Sequence, residues 1–308
     1  MHHRSDGSYY REVPSPLQAL WDALGDAGPI AGSGLRAAAR VLGFLGLTGL
    51  LLPVAVAAFP LGRGAVRRVA LIWFAGVARL CNLRISVNGT PLNRPSTLYV
   101  GNHVSYLDVP VLALLIDGSF VAKEDVRDWP LFGLCARLYR TVFIKRDARD
   151  ALNQRADMAR RLTDGESLVL FPEGTSSDGK QVLPFKTALF AVAGNGADGD
   201  GVKAPWVQPF SIAYTRYADG RPLDRGLQAH YAWYGDMTLF PHLLGVFGLK
   251  GALVEVTFHP PVTAGHFASR KELATHCRAQ VAAGVARAHR SRVYAIPNEN
   301  ADLVQFRA

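Results

Sequence analysis

The sequence predicts an α/β fold: a mostly parallel central sheet flanked by helices, preceded by an N-terminal hydrophobic helical membrane anchor. Short strand-like apolar runs alternate with helical segments between residues 84 and 265, an order typical of parallel sheets. Before them lies an uncharged stretch, residues 41–61, about as long as a bilayer-spanning helix. These observations divide the chain into a polar leader (1–35), the anchor (36–83), the α/β domain (84–265) and a C-terminal helix and tail (266–308).

The anchor contains two segments with different hydrophobic patterns. Residues 41–61 carry no charge, but Pro53 interrupts them, so both a full span and a hairpin in one leaflet stay open. Residues 66–83 place apolar side chains, including Trp73, at helical spacing, which predicts an amphipathic helix at a membrane interface. Two buried helices of a soluble protein could have similar sequences, and this alternative also stays open.

The elements of the α/β domain follow from the hydrophobic periodicity. Strands are predicted at residues 85–87, 98–100, 120–122, 142–144, 168–171, 207–213 and 253–258. Helices are predicted at residues 109–116, 130–139, 151–162, 187–193 and 267–289.

Charge and cysteine content limit the expected partners. The 308 residues carry a net charge of +9, which attracts anionic molecules such as lipid headgroups or phosphorylated metabolites. There is no zinc-finger spacing, RNP-like aromatic run or long Lys/Arg block, so no nucleic acid partner is expected. Cys81, Cys135 and Cys277 are far apart and fit neither a disulfide framework nor a metal site, so reduced thiols and no bound metal are expected.

His103 and Asp108 form the first candidate catalytic pair. Five positions along a continuous helix separate two side chains by about 140°. The two can therefore meet only if His103 lies in a strand-to-helix turn and Asp108 in the first helical turn. Asp108 would then orient the imidazole and leave its second nitrogen as a base. The spacing alone is not specific, because a turn histidine followed by a helix-capping aspartate produces the same pattern.

Four sequence blocks together resemble the glycerolipid acyltransferase family. The family's first block, N-H-x-S-x-x-D, is matched at residues 102–108, and its third, F-P-E-G-T, at residues 171–175. The second block, roughly G-x-I-F-I-D-R, corresponds to residues 141–146, and the fourth, an apolar strand bearing a proline, to residues 207–210. The order and spacing of the blocks agree over roughly residues 83–215.

The resemblance implies acyl transfer without a cofactor. The acyl donor would be a thioester of coenzyme A or acyl-carrier protein, and the acceptor would be the free hydroxyl of a lysolipid. His103 would be the general base on that hydroxyl, and Asp108 would orient it. A thiolate leaves readily, so no acyl-enzyme intermediate is needed.

The same resemblance implies a set of substrate-binding residues. Arg146 would hold the acceptor's phosphate, because a guanidinium bonds two oxygens at once. Thr141 and Lys145 depart from the second block's glycine and aspartate, and Lys145 adds positive charge beside Arg146. The family positions implied in substrate binding are Arg146, Glu173, Gly174, Thr175, Lys186 and Lys123.

Two acceptors stay open, with lysophosphatidate first because 1-acylglycerol-3-phosphate, which yields phosphatidic acid, is the family's commoner substrate. Residues 171–190 and 231–241 resemble instead the lyso-ornithine-lipid acyltransferase branch. The headgroup carboxylate of that branch's lipid acceptor would replace the phosphate at Arg146. Remote alternatives are a serine hydrolase that uses Ser105, although no G-x-S-x-G elbow is present, and a non-catalytic lipid-binding protein. The expected location is the cytoplasmic face of the cell inner membrane.

Overall fold

The structure is a computed structural model in which residues 32–129, 131–144, 151–194, 205–219, 221–223 and 230–294 are described. Most of the predicted leader and the end of the C-terminal tail lie outside these ranges. Lys145 and Arg146, from the second sequence block, also lie outside them.

Two antiparallel helices form an N-terminal hairpin. Helix α1 covers Gly34–Ala58, and helix α2 covers Arg63–Leu80, with a short 3₁₀ turn between them. The Ser33 hydroxyl caps α1 by accepting a hydrogen bond from the Arg36 amide at 3.3 Å. Pro53 lies inside α1 without ending it. The helix formed by α1 and the 3₁₀ turn is long and apolar enough to cross a membrane, although only 22% of its most apolar window is buried.

The remaining elements alternate between strands and helices. The strands are β1 Leu83–Asn88, β2 Thr97–Gly101, β3 Ser119–Lys123, β4 Val142–Ile144, β5 Leu168–Leu170, β6 Trp206–Tyr217, β7 Ala252–Phe258 and β8 Val262–Thr263. The helices are α3 Asp108–Leu115, α4 Phe132–Leu138, α5 Ala151–Thr163, α6 Leu239–Gly248 and α7 Arg270–Tyr294. Shorter 3₁₀ helices cover Phe59–Leu61, Glu124–Asp128, Thr187–Ala193 and Ala264–His266.

The strands form one sheet in the order β1-β7-β6-β2-β5-β3-β4, with β8 added beside β6. Five strand pairs are parallel, and β6 is antiparallel to both β7 and β8. The predicted fold class, a mostly parallel sheet flanked by helices after an apolar N-terminal helix, is confirmed. Because β2, β5, β3 and β4 run in the same direction, the segments after them meet at one edge of the sheet, where α/β proteins commonly bind ligands.

The sheet has a hydrophobic core on each face. Along β2, Tyr99 packs into the core beneath α1, α2 and α3, whereas Leu98 and Val100 pack into the core beneath α5 and α7. Every residue of β2 is buried. This central position explains the continuous apolar run of β2, because helices cover both faces of a parallel sheet.

Two elements differ from the sequence prediction. Residues 187–193 form a 3₁₀ helix rather than an α-helix, with Phe190 and Ala193 fully buried in the core beneath α7. Its composition favours an α-helix, so the 3₁₀ conformation reflects tertiary packing of this buried run rather than local propensity. Helix α6 was not predicted, because its LFPHLLGVFG sequence contains proline and two glycines and has no clear polar face. Its apolar residues are stabilised by packing against α1, as in the contact between Phe44 and Phe247.

Candidate active site

His103 and Asp108 meet at the carboxyl end of β2. The Nδ1 atom of His103 lies 2.8 Å from Oδ2 of Asp108. His103 lies in the turn after β2, and Asp108 is the first residue of α3, which is the arrangement that their spacing requires. The Asp108 side chain is fully buried, whereas that of His103 is 20% exposed. The pair therefore has a dry orienting carboxylate and an imidazole that a substrate can reach.

The Asp108 carboxylate organises the whole turn. Besides the imidazole, Oδ2 accepts hydrogen bonds from the backbone amides of Val104 at 2.7 Å and Ser105 at 3.0 Å. Oδ1 accepts a hydrogen bond from the Tyr214 hydroxyl at 2.9 Å. A carboxylate with so many donors acts only as an acceptor, so Nδ1 of His103 must carry the proton of the neutral ring. Its Nε2 atom then has a free lone pair, and no described residue is hydrogen-bonded to it.

A second loop, the one that follows β5, holds the His103 ring in place. Phe171 stacks on the imidazole with a centroid distance of 4.0 Å and an interplanar angle of 13°. The backbone amide of Ser177 donates to the His103 carbonyl at 2.9 Å. Because β2 and β5 are adjacent and parallel, the first and third sequence blocks come together although they are far apart in the chain.

Glu173, predicted to lie in an acceptor-binding turn, points inward instead. Its side chain is buried, and Oε1 accepts a hydrogen bond from the Leu183 amide at 3.2 Å. Oε2 is buried and has no hydrogen-bond partner among the described residues. Burial raises the pKa of the Glu173 carboxyl to about 8, and the bond from Leu183 opposes this shift only in part. At neutral pH Glu173 is therefore mainly a neutral acid that connects two parts of its loop.

Gly174 and Lys186 lie against each other beside Glu173. Gly174 has φ of +68°, a conformation that favours glycine, and a Cβ atom at this position would displace the Lys186 ammonium, which lies directly over it. Lys186 is exposed, and its ammonium forms no ion pair with a described residue. Thr175 is exposed next to it. A cation is thus available at the same sheet edge as His103.

Of the two remaining predicted cations, Lys123 and Arg146, the structure describes only Lys123. Lys123 is the last residue of β3, which lies beside β5, so it belongs to the same edge of the sheet and is partly exposed. Arg146 follows β4, whose last residue is Ile144, but it lies outside the described residues.

Two residues of the first sequence block are structural. The Asn102 carboxamide bonds both backbone groups of Ile212 in β6, each at 2.9 Å, and so fixes the turn to the neighbouring strand. Ser105 is completely buried, and its hydroxyl accepts a hydrogen bond from the Leu107 amide at 3.3 Å. A buried hydroxyl in this role cannot serve as the exposed nucleophile of the hydrolase alternative.

Several contacts were missed by sequence reasoning because they join distant segments. The Trp233 amide donates to the Val104 carbonyl at 2.9 Å, and its carbonyl accepts from the Ser176 hydroxyl, so this residue connects both loops of the site. The Tyr106 hydroxyl bonds Nδ1 of His242 in α6 at 2.9 Å. Resemblance pointed to residues 231–241, but no local pattern marks Tyr214 or His242.

Comparison with known proteins identifies the family of this chain. An acyltransferase family model matches residues 84–212. The chain is 42% identical over 225 residues to the lyso-ornithine lipid O-acyltransferase of Brucella abortus (strain 2308), covering 73% of this chain and 84% of the relative. It is 34% identical over 121 residues to the 1-acyl-sn-glycerol-3-phosphate acyltransferase of Neisseria meningitidis serogroup B, covering 38% of this chain and 47% of that relative.

A solved structure shares the fold. The crystal structure of the 1-acyl-sn-glycerophosphate (LPA) acyltransferase of Thermotoga maritima aligns with a TM-score of 0.54 and 21% identity, covering 80% of this chain and 97% of the other. Taken with the sequence relatives, these matches show that the chain belongs to the glycerolipid acyltransferase family. It is an acyltransferase of the type that includes the 1-acylglycerol-3-phosphate O-acyltransferases.

The raised pKa of Glu173 predicts a pH-dependent stability. Between its ordinary value of 4.5 and the folded value of about 8, the folded protein holds a proton that the unfolded chain has released. Stability from this group is therefore complete below about 4.5 and is lost as the pH rises through about 8. Urea unfolding should show wild type and Glu173→Gln converging in acid, with wild type becoming the less stable protein as the pH rises. Parallel curves across the whole range would contradict the prediction.

Proposed function

We propose that this protein transfers a fatty acyl group from acyl-CoA or acyl-carrier protein to the free hydroxyl of a lyso-ornithine lipid, with His103 as general base. The observation that carries the chemistry is the His103–Asp108 pair, which leaves the Nε2 lone pair of an accessible imidazole unused. The acceptor is proposed from the relatives, since the matched lyso-ornithine lipid acyltransferases are more identical and share far more of their length. This reverses the order in which the sequence analysis ranked the two acceptors.

One base, His103, is enough to move the proton through the whole reaction. Nε2 of His103 takes the proton of the acceptor hydroxyl as the oxygen attacks the thioester carbonyl, which forms the new C–O bond. The C–S bond then breaks, and the leaving thiolate receives that proton from the imidazolium. Asp108 stabilises the imidazolium between the two steps. The buried Ser105 fits a direct transfer that needs no acyl-enzyme.

The acceptor headgroup needs a cation near the base. We assign this role first to Lys186, whose ammonium lies over Gly174 beside the His103 turn. Thr175, exposed next to Gly174, would add a hydroxyl or an amide donor. Lys123, at the end of β3, and Arg146, two residues after β4 in the sequence, are proposed as further partners of the headgroup. A carboxylate and a phosphate would bind the same cations, so lysophosphatidate is the second candidate, supported by the Neisseria relative.

The experiment that tests this proposal offers both acceptors to the purified protein in detergent, with acyl-CoA and acyl-carrier protein as donors. Wild type should acylate lyso-ornithine lipid, and His103→Ala should lower the rate by about 100-fold or more, the usual contribution of a general base. His266→Ala, at an exposed histidine of the 3₁₀ helix that follows β8, is the matched control and should keep full activity. A fall of less than about tenfold in His103→Ala would exclude the base role. Product from lysophosphatidate alone would exclude the proposed acceptor.

The same assay tests Lys186. Lys186→Gln should raise KM for the acceptor by about tenfold with little change in kcat, since it removes a charge-assisted contact to the headgroup. Lys180→Gln is the matched control, because Lys180 is an exposed lysine of the same loop that already pairs with Asp178 at 3.2 Å. Equal KM values for the two variants would contradict the assignment.

We further propose that the α1–α2 hairpin lies within one leaflet, on the cytoplasmic face of the inner membrane. One side of α1 packs on the domain, since the Arg36 and Arg40 guanidinium groups bond carbonyls at the end of α6 and Phe44 packs on Phe247. The opposite side exposes large apolar residues along the whole helix: Leu35, Leu42, Leu45, Leu50, Val54 and Val56. Attachment of the N-terminal part of α1 to the domain, together with its apolar outer side, favours an in-plane position over a span.

Cysteine labelling distinguishes a span from an in-plane hairpin. Gly34 is the first residue of α1 and Gly64 lies in the first turn of α2, so the two positions mark opposite ends of the hairpin. Both are exposed and have open space for a side chain, so each can be replaced by cysteine. With Cys135→Ser as background, a membrane-impermeant maleimide should label both positions in inverted inner-membrane vesicles and neither in intact spheroplasts. Labelling of the two positions from opposite sides of the membrane would contradict the in-plane arrangement.

A further inference from the structure

Tyr214 reaches the catalytic turn from a strand that the first sequence block does not include. It lies in β6, 106 residues from Asp108, and its buried hydroxyl donates to Oδ1 at 2.9 Å. It also lies beyond residues 84–212, the part of the chain that the family model matches. Nothing in the motifs or in the comparisons assigns it a role.

Two sets of contacts hold Tyr214 in place: one fixes its strand and the other packs on its ring. Asn102 bonds both backbone groups of Ile212, which fixes the alignment of β6 with the turn. Side chains two positions apart share a face of a strand, so Tyr214 follows Ile212 on the side of the sheet where α3 begins. The Tyr231 ring stacks on it with a centroid distance of 5.8 Å and an angle of 10°. The hydroxyl is thereby directed at the carboxylate rather than free to rotate away.

We propose that Tyr214 is a positioning residue that sets the orientation and the proton affinity of the His103–Asp108 pair. This inference rests on the acyl transfer proposed above, in which His103 is the base. Tyr214 contacts neither substrate nor the reacting atoms in this role. It acts only through Asp108.

The hydrogen-bond count at Asp108 supports this role. Oδ2 has three donors, whereas the Tyr214 hydroxyl is the one hydrogen-bond donor to Oδ1 within the described part of the chain. Without that hydroxyl, a fully buried anionic oxygen would lose its partner, which is a costly state. The carboxylate would then hold a proton more strongly, either on itself or on the imidazole beside it. In both cases the pair takes up its proton at a higher pH.

Tyr214 can donate at every pH at which the enzyme works. Burial, reinforced by the Asp108 charge, raises the pKa of its hydroxyl well above the ordinary value. The titratable and charged groups that face the pair and its tyrosines are Arg40 in α1, Cys81 after α2, Tyr106 in the turn, Glu173 after β5, Tyr217 in β6, Tyr231 before α6, His242 in α6 and Arg278 in α7. They are the same in wild type and in a Tyr214 variant, so a difference between the two pH profiles reports on the pair.

The test compares the pH profiles of wild type, Tyr214→Phe and Tyr231→Phe with the acceptor that wild type uses. Tyr214→Phe keeps the stacked ring and should lower kcat by about tenfold, with KM values for donor and acceptor within about twofold. The acid limb of its kcat/KM profile should move to higher pH. Tyr231→Phe removes the hydroxyl of the stacking partner, which does not touch Asp108, and should leave the acid limb where it is in wild type.

If the Tyr214→Phe protein does not fold, a second substitution still tests the inference. Replacing Tyr214 with 3-fluorotyrosine keeps the shape and makes the hydroxyl a stronger donor, so the acid limb should move to lower pH. An acid limb that is unchanged in both variants would overturn the inference, as would equal shifts in Tyr214→Phe and Tyr231→Phe. His103→Ala measured in parallel separates the two claims. Full activity in His103→Ala would refute the base role of His103. Loss of activity in His103→Ala together with an unshifted Tyr214→Phe profile would refute only the role of Tyr214.

Discussion

The buried carboxylate of Asp108 is the group on which the rest of the site depends. One fully buried side chain accepts hydrogen bonds from an imidazole, two backbone amides and a phenol. These donors belong to the turn after β2 and to β6, so the carboxylate joins two strands at the point where the catalytic loop leaves the sheet. A buried charge is stable only when it is fully hydrogen-bonded, and here those bonds also orient His103, the proposed base. The same hydrogen bonds therefore offset the free-energy cost of burying the carboxylate and set the orientation of the imidazole.

The order of the strands brings the remaining groups to this carboxylate. β2 is paired with β5 on one side and β6 on the other, so the loop after β5 supplies Phe171 beneath the imidazole while β6 supplies Tyr214 beneath the carboxylate. The N-terminal hairpin is held to the same unit through α6, whose terminal carbonyls bind Arg36 and Arg40. The apolar outer side of α1 therefore has a fixed position relative to His103. That arrangement suits the proposed transfer, in which the acceptor resides in a membrane and the donor is soluble.

Much of the fold and of the candidate site could be predicted from the sequence, and there is a physical reason for each part that could not. Alternating strand and helix patterns predicted the parallel sheet, because local periodicity reports burial. The spacing of His103 and Asp108 required a strand-to-helix turn, and the turn is there. Helix α6 and the 3₁₀ helix at residues 187–193 depend on tertiary packing, which local propensity does not report. Tyr214 bonds a residue 106 positions away, so it shows in no motif. The F-P-E-G-T block contains Glu173 but does not reveal that its side chain turns inward to the Leu183 amide.

The central claim is that Asp108 fixes His103 with Nδ1 protonated and Nε2 free to act as base. Nitrogen-15 NMR of histidine-labelled protein, with the His103 signals assigned by comparison with His103→Gln, measures this directly. The account predicts that the neutral ring of His103 is the Nδ1–H tautomer, and that Asp108→Ala removes this preference. A neutral ring protonated at Nε2 would contradict the account, because the nitrogen facing the substrate would then have no lone pair to accept a proton.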